Sequence, residues 1–255
     1  MIFKYLSQKL KALDFRRKCF SYGLFYGQSS SLKIPSHFLI GFSRKEIKFI
    51  NTADERFKYE FIDICITDAY NLTQIPKQEI KTIVDIGANQ GIFLLAARKV
   101  FKNAEIHAYE PNSSLSRYLS FNSDQLSATC FYEAVTAEDC KVNLQFSDSD
   151  LETKTEKDEG GNVIGTSLKK VKDRLGGKID LLKMDCEGGE WDLFTLKDEW
   201  RSVKYLTMEY HLWHGYGHTQ QELISKINEL GFRILTARPV TEKYGMLFAI
   251  NENLS

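Results

Sequence analysis

The sequence has no excess of either charge: 34 basic and 34 acidic side chains give a formal net charge of +0 over 255 residues. No global field draws the chain to a polyanion, so nucleic acid is not an expected partner. No run approaches the ~20 consecutive apolar residues that a membrane span needs. Charges interrupt the apolar N-terminal stretch, which argues against a cleaved secretion signal. The five cysteines, Cys19, Cys65, Cys130, Cys140 and Cys186, include no Cys-x-x-Cys and no paired short spacing. Such a scattered, odd set reads as reduced thiols in a cytoplasmic protein, not as a disulfide or zinc framework. Internal repeats are absent too. What is present is 43% apolar content, enough for one main domain with a full core and an added N-terminal piece.

A glycine is also missing where a dinucleotide would need one. Thr82-Ile83-Val84-Asp85-Ile86-Gly87-Ala88-Asn89-Gln90-Gly91 is an apolar strand closed by an acid, followed by a turn that opens a helix. A dinucleotide fingerprint requires G-x-G-x-x-G, whose second glycine lets a pyrophosphate reach the helix N-terminus. Here Asn89 occupies that place. The order D-x-G-x-x-x-G suits a nucleoside with an amino-acid tail and no phosphate, a description that fits S-adenosylmethionine (SAM). Gly87 and Gly91 let the backbone approach such a ligand closely. Asp85 can meet the ligand's ammonium, directly or through water, or tie down backbone N–H groups of the turn. Asn89 can bond the methionyl carboxylate or merely shape the turn. Glu110 follows the next strand about 25 residues on, near the ~20-residue offset of a ribose-binding acid.

Four blocks carry a resemblance. They are Val84-Asp85-Ile86-Gly87-Ala88-Asn89-x-Gly91, Tyr109-Glu110-Pro111-Asn112, Leu182-Lys183-Met184-Asp185-Cys186-Glu187-Gly188-Gly189-Glu190-Trp191 and Met208-Glu209-Tyr210-His211. Their order over roughly residues 80 to 250 resembles the FkbM-type SAM-dependent methyltransferases. The resemblance implies an α/β, Rossmann-like class I methyltransferase fold with a seven-stranded, mostly parallel sheet, one antiparallel strand and helices on both faces. It also implies methyl transfer to a hydroxyl of a sugar, glycan or natural product, with SAM as cofactor. Ala134, at the end of the third strand where that fold meets the adenine, would act through its backbone.

The rest of the chain fits this division: an extension over residues 1–78, then a methyltransferase domain over 79–255. Residues 1–20 carry Ile2, Phe3, Leu6, Leu10 and Leu13 at helical spacing among lysines and arginines. A basic amphipathic helix of this kind either touches an anionic membrane surface or packs on the domain. A hairpin is expected between Ser36 and Ile50. Strand-like runs then follow at 82–85, 105–109, 129–135, 142–146, 179–184 and 205–210, with helix-like runs between them. The strands at 232–237 and 244–250 are too close in sequence for a helical crossover, so one should run antiparallel. Ser147 to Gly165 is acidic and nearly devoid of apolar side chains, and reads as a loop or protruding hairpin, either a lid or a solvated insertion.

The candidate catalytic residues are Asp185, Glu187, Glu209 and His211, at the C-terminal ends of two core strands, where open α/β sheets meet ligands. Strand alternation points Glu209 and His211 the same way. On this reading His211 is the general base and Glu209 orients it, while Asp185 and Glu187 bind the acceptor or the cofactor's amine. The acids can alternatively cap the following helix. No metal is expected, because His211, His214 and His218 would share a face only on a continuous helix, which Gly215 and Gly217 interrupt. Trp213 and Tyr216 are candidate stacking surfaces for a sugar.

Overall fold

The computed structural model describes residues 2–25, 32–42, 45–146, 153–212 and 217–254. Helix α1 (Ile2–Ser21) leads into the antiparallel hairpin of β1 (His37–Phe42) and β2 (Lys45–Ile50). Helix α2 (Glu55–Phe61) is capped by Asp54, which accepts the Phe57 N–H at 2.7 Å, and it widens into a π-helical turn at Ile62–Ile66. Then come β3 (Thr82–Ile86), α3 (Ile92–Val100), β4 (Glu105–Tyr109), α4 (Ser116–Leu126), β5 (Thr129–Phe131), β6 (Glu133–Thr136), β7 (Cys140–Phe146), β8 (Thr153–Lys157) and β9 (Val163–Ser167). The chain finishes with α5 (Leu168–Asp173), β10 (Ile179–Met184), α6 (Glu190–Leu193), β11 (Val203–His211), α7 (Gln220–Glu229), β12 (Phe232–Pro239) and β13 (Tyr244–Asn251).

Seven strands form the main sheet in the order β12-β13-β11-β10-β3-β4-β5. All run parallel except β13, which is antiparallel to both β11 and β12. Its position follows from the short turn after β12, which can only reverse the chain. Central strands are apolar on both faces because helices cover both. Ile83, Leu181 and Tyr205 join one hydrophobic cluster, with residues of α3 and α4; their neighbours Val84, Leu182 and Leu206 join the other, with residues of α5, α6 and α7.

Two sequence expectations need correction here. The run at 129–135 divides at Tyr132, and β6 leaves the main sheet; Glu133, at its start, is held by a two-pronged ion pair to Arg174 at 2.8 and 3.1 Å. The alternation at 142–146 belongs to no core strand either. Strand β7 pairs with β8 and β9 in a separate sheet of order β6-β9-β7-β8. The polar tract therefore contributes two strands, because β-pairing uses backbone groups and a side sheet can be solvated; residues 147–152 lie outside the described part.

The N-terminal segment packs into the first cluster. Phe57 and Phe61 are fully buried, and Phe61 meets Tyr22 and Phe38 edge-on at centroid distances of 5.5 and 6.0 Å. The last turns of α1 are docked by buried Cys19 and by Lys18, whose ammonium donates to the Ile66 carbonyl at 2.9 Å. Leu10, Leu13 and Phe20 stay exposed along one side of the same helix. No described helix is long and apolar enough to cross a membrane. Because Phe61 joins residues of β3 and α3 in one core, Phe61→Ala should lower the stability of the whole chain by about 3–5 kcal/mol. Urea unfolding should remain a single transition; a separate early transition for the N-terminal segment would contradict this.

Candidate active site

The turn after β3 is built from below by a lysine. Parallel pairing of β3 with β10 sets Asp85 beside Lys183. Both side chains are buried, and the Lys183 ammonium lies 3.0 Å from Asp85 Oδ1. The same ammonium donates to the carbonyls of Gly87 at 2.7 Å and Ile86 at 3.2 Å. Burial works against its charge, but Asp85 and Asp185 outweigh it and hold Lys183 above the ordinary lysine range. Asp85 takes no other hydrogen bond among the described residues and does not line the cavity. Its hold on the turn therefore runs through Lys183, not through the turn's own N–H groups.

Above that pair the turn is left-handed at three points. Gly87, Asn89 and Gly91 have φ of 77°, 48° and 85°. A Cβ at Gly87 would run into the Asp185 carbonyl oxygen, so glycine is required by packing as well as by conformation. Gly91 sits just before α3, behind the cavity wall. The Asn89 N–H donates to Glu110 Oε2 at 2.8 Å, and the Asn112 N–H to Glu110 Oε1 at 2.9 Å. Burial raises Glu110 above the usual carboxylate range against the pull of these two amides. Glu110 lines a cavity of about 1480 Å³ together with Asn89 and Ala134.

Across the cavity, the ends of β10 and β11 carry the remaining predicted residues. Asp185, Glu187, Glu209 and His211 all line it. His211 Nε2 faces Glu209 Oε1 at 3.4 Å, Glu187 Oε2 at 3.5 Å and Asp185 Oδ1 at 4.0 Å. A further carboxylate holds the opposite side of the ring. Fully buried Glu190 lies 3.2 Å from His211 Nδ1 and accepts the backbone N–H groups of His211 at 2.7 Å and Gly188 at 2.9 Å. Burial alone would depress the imidazole, but hydrogen bonds that the ring donates to Glu190 and Glu209 push it up to about 11. The imidazole is thereby biased toward its charged form, with carboxylates facing both ring nitrogens. His218 stacks on Trp191, with centroids 3.6 Å apart, away from this group. Trp213, His214, Gly215 and Tyr216 lie outside the described residues.

Sequence reading missed several contributors. Glu60, on α2, lines the cavity and lies 3.4 Å from the Asn89 side-chain amide and 3.3 Å from Arg56. Burial pushes its carboxyl up to about 7, against the opposing pull of Arg56. Tyr70 donates its hydroxyl to Asp185 Oδ2 at 3.3 Å. The spacing Asp85…Lys183 carried no local signal, and Glu190 looked like an ordinary acid in the first turn of a helix.

The strand order, the left-handed glycine turn and the acid at the tip of β4 define a class I α/β methyltransferase architecture. A model of the methyltransferase FkbM domain matches residues 85–234, more than half of the sequence. The chain belongs to the FkbM methyltransferase family, whose cofactor is SAM. A search of curated proteins finds no match. Similar solved structures include the methyltransferase FkbM from Methylobacillus flagellatus, at 17% identity and TM-score 0.44, over 67% of this chain and 44% of that one. The fibrillarin pre-rRNA processing protein of Methanococcus jannaschii gives 11% identity and TM-score 0.49, over 89% and 87%. Precorrin-6y C5,15-methyltransferase from Geobacter metallireducens gives 14% and 0.42, over 71% and 85%.

Because one buried cation neutralises Asp85 and holds the turn, Lys183→Met should cost about 3–5 kcal/mol by leaving a buried charge alone. The double variant Asp85→Asn, Lys183→Met should recover much of that loss in urea unfolding. Equal destabilisation of the single and double variants would exclude the pairing.

Proposed function

We propose that this protein transfers a methyl group from SAM to a hydroxyl of a sugar, glycan or natural-product acceptor. The observation that carries the reading is a single cavity with the cofactor turn and Glu110 on one wall and a group of proton-accepting carboxylates on the other. The site fits SAM in its donor set. Glu110 keeps lone pairs for two ribose hydroxyls, Ala134 offers backbone at the adenine end, and Glu60 is a buried carboxyl beside Asn89 whose charged form an ammonium would favour.

When bound, SAM supplies a methyl already activated on a positively charged sulfur. The chain has two remaining tasks. It must hold the acceptor oxygen in line, which can remove ~7–11 kcal/mol of barrier, and take up the hydroxyl proton, typically worth ~10²–10⁴-fold. Asp185, Glu187 and Glu209 are placed to receive that proton, and protonated His211 holds their charges together by donating from Nε2. The acceptor's far end meets the mouth formed by Arg238 at the end of β12, Lys243 in the turn that follows, and the Tyr59 and Tyr244 rings. An anionic floor also suits an amine acceptor, which is the second reading; a carboxylate acceptor would be repelled. The free cysteines suit a reducing compartment.

Release of S-adenosylhomocysteine should appear with members of a nucleotide-sugar, oligosaccharide and polyol panel; turnover only with amines would favour the second reading. Glu110→Ala should weaken S-adenosylhomocysteine and methylthioadenosine alike by about 10–100-fold, since both carry the ribose. Glu60→Gln should weaken only the former, about tenfold, because methylthioadenosine lacks the amino-acid tail. Calorimetry reads both. Unchanged affinity in Glu110→Ala would remove the ribose assignment, and equal losses for both ligands in Glu60→Gln would remove that of the ammonium.

A further inference from the structure

The carboxylates around His211 are more numerous than proton transfer requires. Asp185, Glu187, Glu190 and Glu209 converge on one imidazole at the ends of β10 and β11. The nearest lysine, Lys183, is already held by Asp85 and lies 4.0 Å from Asp185. One oxygen of Asp185, one of Glu209 and a ring nitrogen of His211 lie within 4.8 Å of one another.

The separations are ion-pair distances that also suit ligands of one ion. Donors bound ~2.1 Å from a common ion lie ~3.0 Å apart at a right angle and ~4.2 Å apart across it. His211 Nε2 is 3.4 Å from Glu209 Oε1 and 4.0 Å from Asp185 Oδ1, inside that interval. A second observation is the support behind two of the three donors. Buried Glu190 occupies Nδ1 of His211, which aims Nε2 at the carboxylates. The Tyr70 hydroxyl, from outside the cluster, occupies Asp185 Oδ2, leaving Oδ1 toward His211. A carboxylate behind a ligating histidine and a donor behind a ligating carboxylate are the supports that orient metal ligands. The open side of the group faces the cavity.

We propose that Asp185, Glu209 and His211 bind a divalent cation, with Glu190 and Tyr70 positioning two of the three ligands. One imidazole with two carboxylates suits Mn²⁺ or Mg²⁺, which accept oxygen-rich sets. The cation takes the place of the proton on His211 Nε2 and offsets the carboxylate charge. Its open positions face the acceptor hydroxyl, whose proton then passes to Glu187, the carboxylate left outside the three. That use of the ion rests on the methyl-transfer reading above; the binding does not.

The test uses the full chain, stripped with chelator, and Mn²⁺ alone as probe. Electron paramagnetic resonance titration should find about one saturable site per chain. Asp185→Asn and Glu209→Gln should lower its affinity at least tenfold, and Glu190→Gln about 10–100-fold, while S-adenosylhomocysteine binding reports that each variant is folded. Should the carboxylate variants not fold, the wild-type protein suffices: substoichiometric Mn²⁺ should broaden the His211 ring signal ahead of those of the other histidines. Absence of saturable binding, affinity unchanged in Asp185→Asn and Glu209→Gln, or uniform broadening of all histidines would overturn the proposal. No acceptor enters these measurements, so they stand or fall separately from the choice of acceptor.

Discussion

Lys183 carries a task out of proportion to one side chain. Its ammonium is buried between β3 and β10, neutralises Asp85 and binds the last carbonyl of β3 and the first of the turn. A charge placed in that interior is tolerated only when paired and hydrogen-bonded. The demand runs in both directions: Asp85 needs the lysine, and the lysine needs the turn in the shape that presents two carbonyls. The left-handed bend at Gly87 follows from this and from the Asp185 carbonyl packed against it. Everything that faces the cavity is referenced to that bend, including the Asn89 amide that holds Glu110.

Across the cavity the constraint has the opposite sign. Four acids close to one imidazole would repel one another if they were not spread over well-anchored backbone, and each anchor is visible. Glu190 is fixed by the N–H groups of Gly188 and His211, and Asp185 by Tyr70. Glu187 sits at φ 53°, a conformation that costs a non-glycine residue of order 1–3 kcal/mol and is kept where surrounding structure overrules it. Stability is given up there to concentrate negative charge on one wall of the cavity.

The N-terminal segment belongs to this logic. Residues of α2 and the following turn supply Glu60 and Tyr70 to the cavity while Phe57 and Phe61 fill the core beneath. One amphipathic stretch thus anchors itself and equips the site. The end of β12 and the turn after it line the other side with Arg238 and Lys243.

What could be read from sequence was whatever rests on neighbours along the chain. Strands β4 and β10 have the boundaries that their apolar runs indicate, and β3 runs one residue further. The bend with Gly87 and Gly91 and the acid Glu110 also stood out, because a turn and the strand before it are local objects. Tertiary structure alone decided the rest. Lys183 meets Asp85 only through the register of two strands about a hundred residues apart. Glu190 joins Glu209 at the His211 ring because α6 folds back over the end of β11. The alternation at 142–146 is the same whether a strand joins the main sheet or a side sheet, since periodicity fixes which way side chains point and not which backbone lies alongside. Local chemistry dictated the cofactor's turn, whereas long-range pairing assembled the charges that face it.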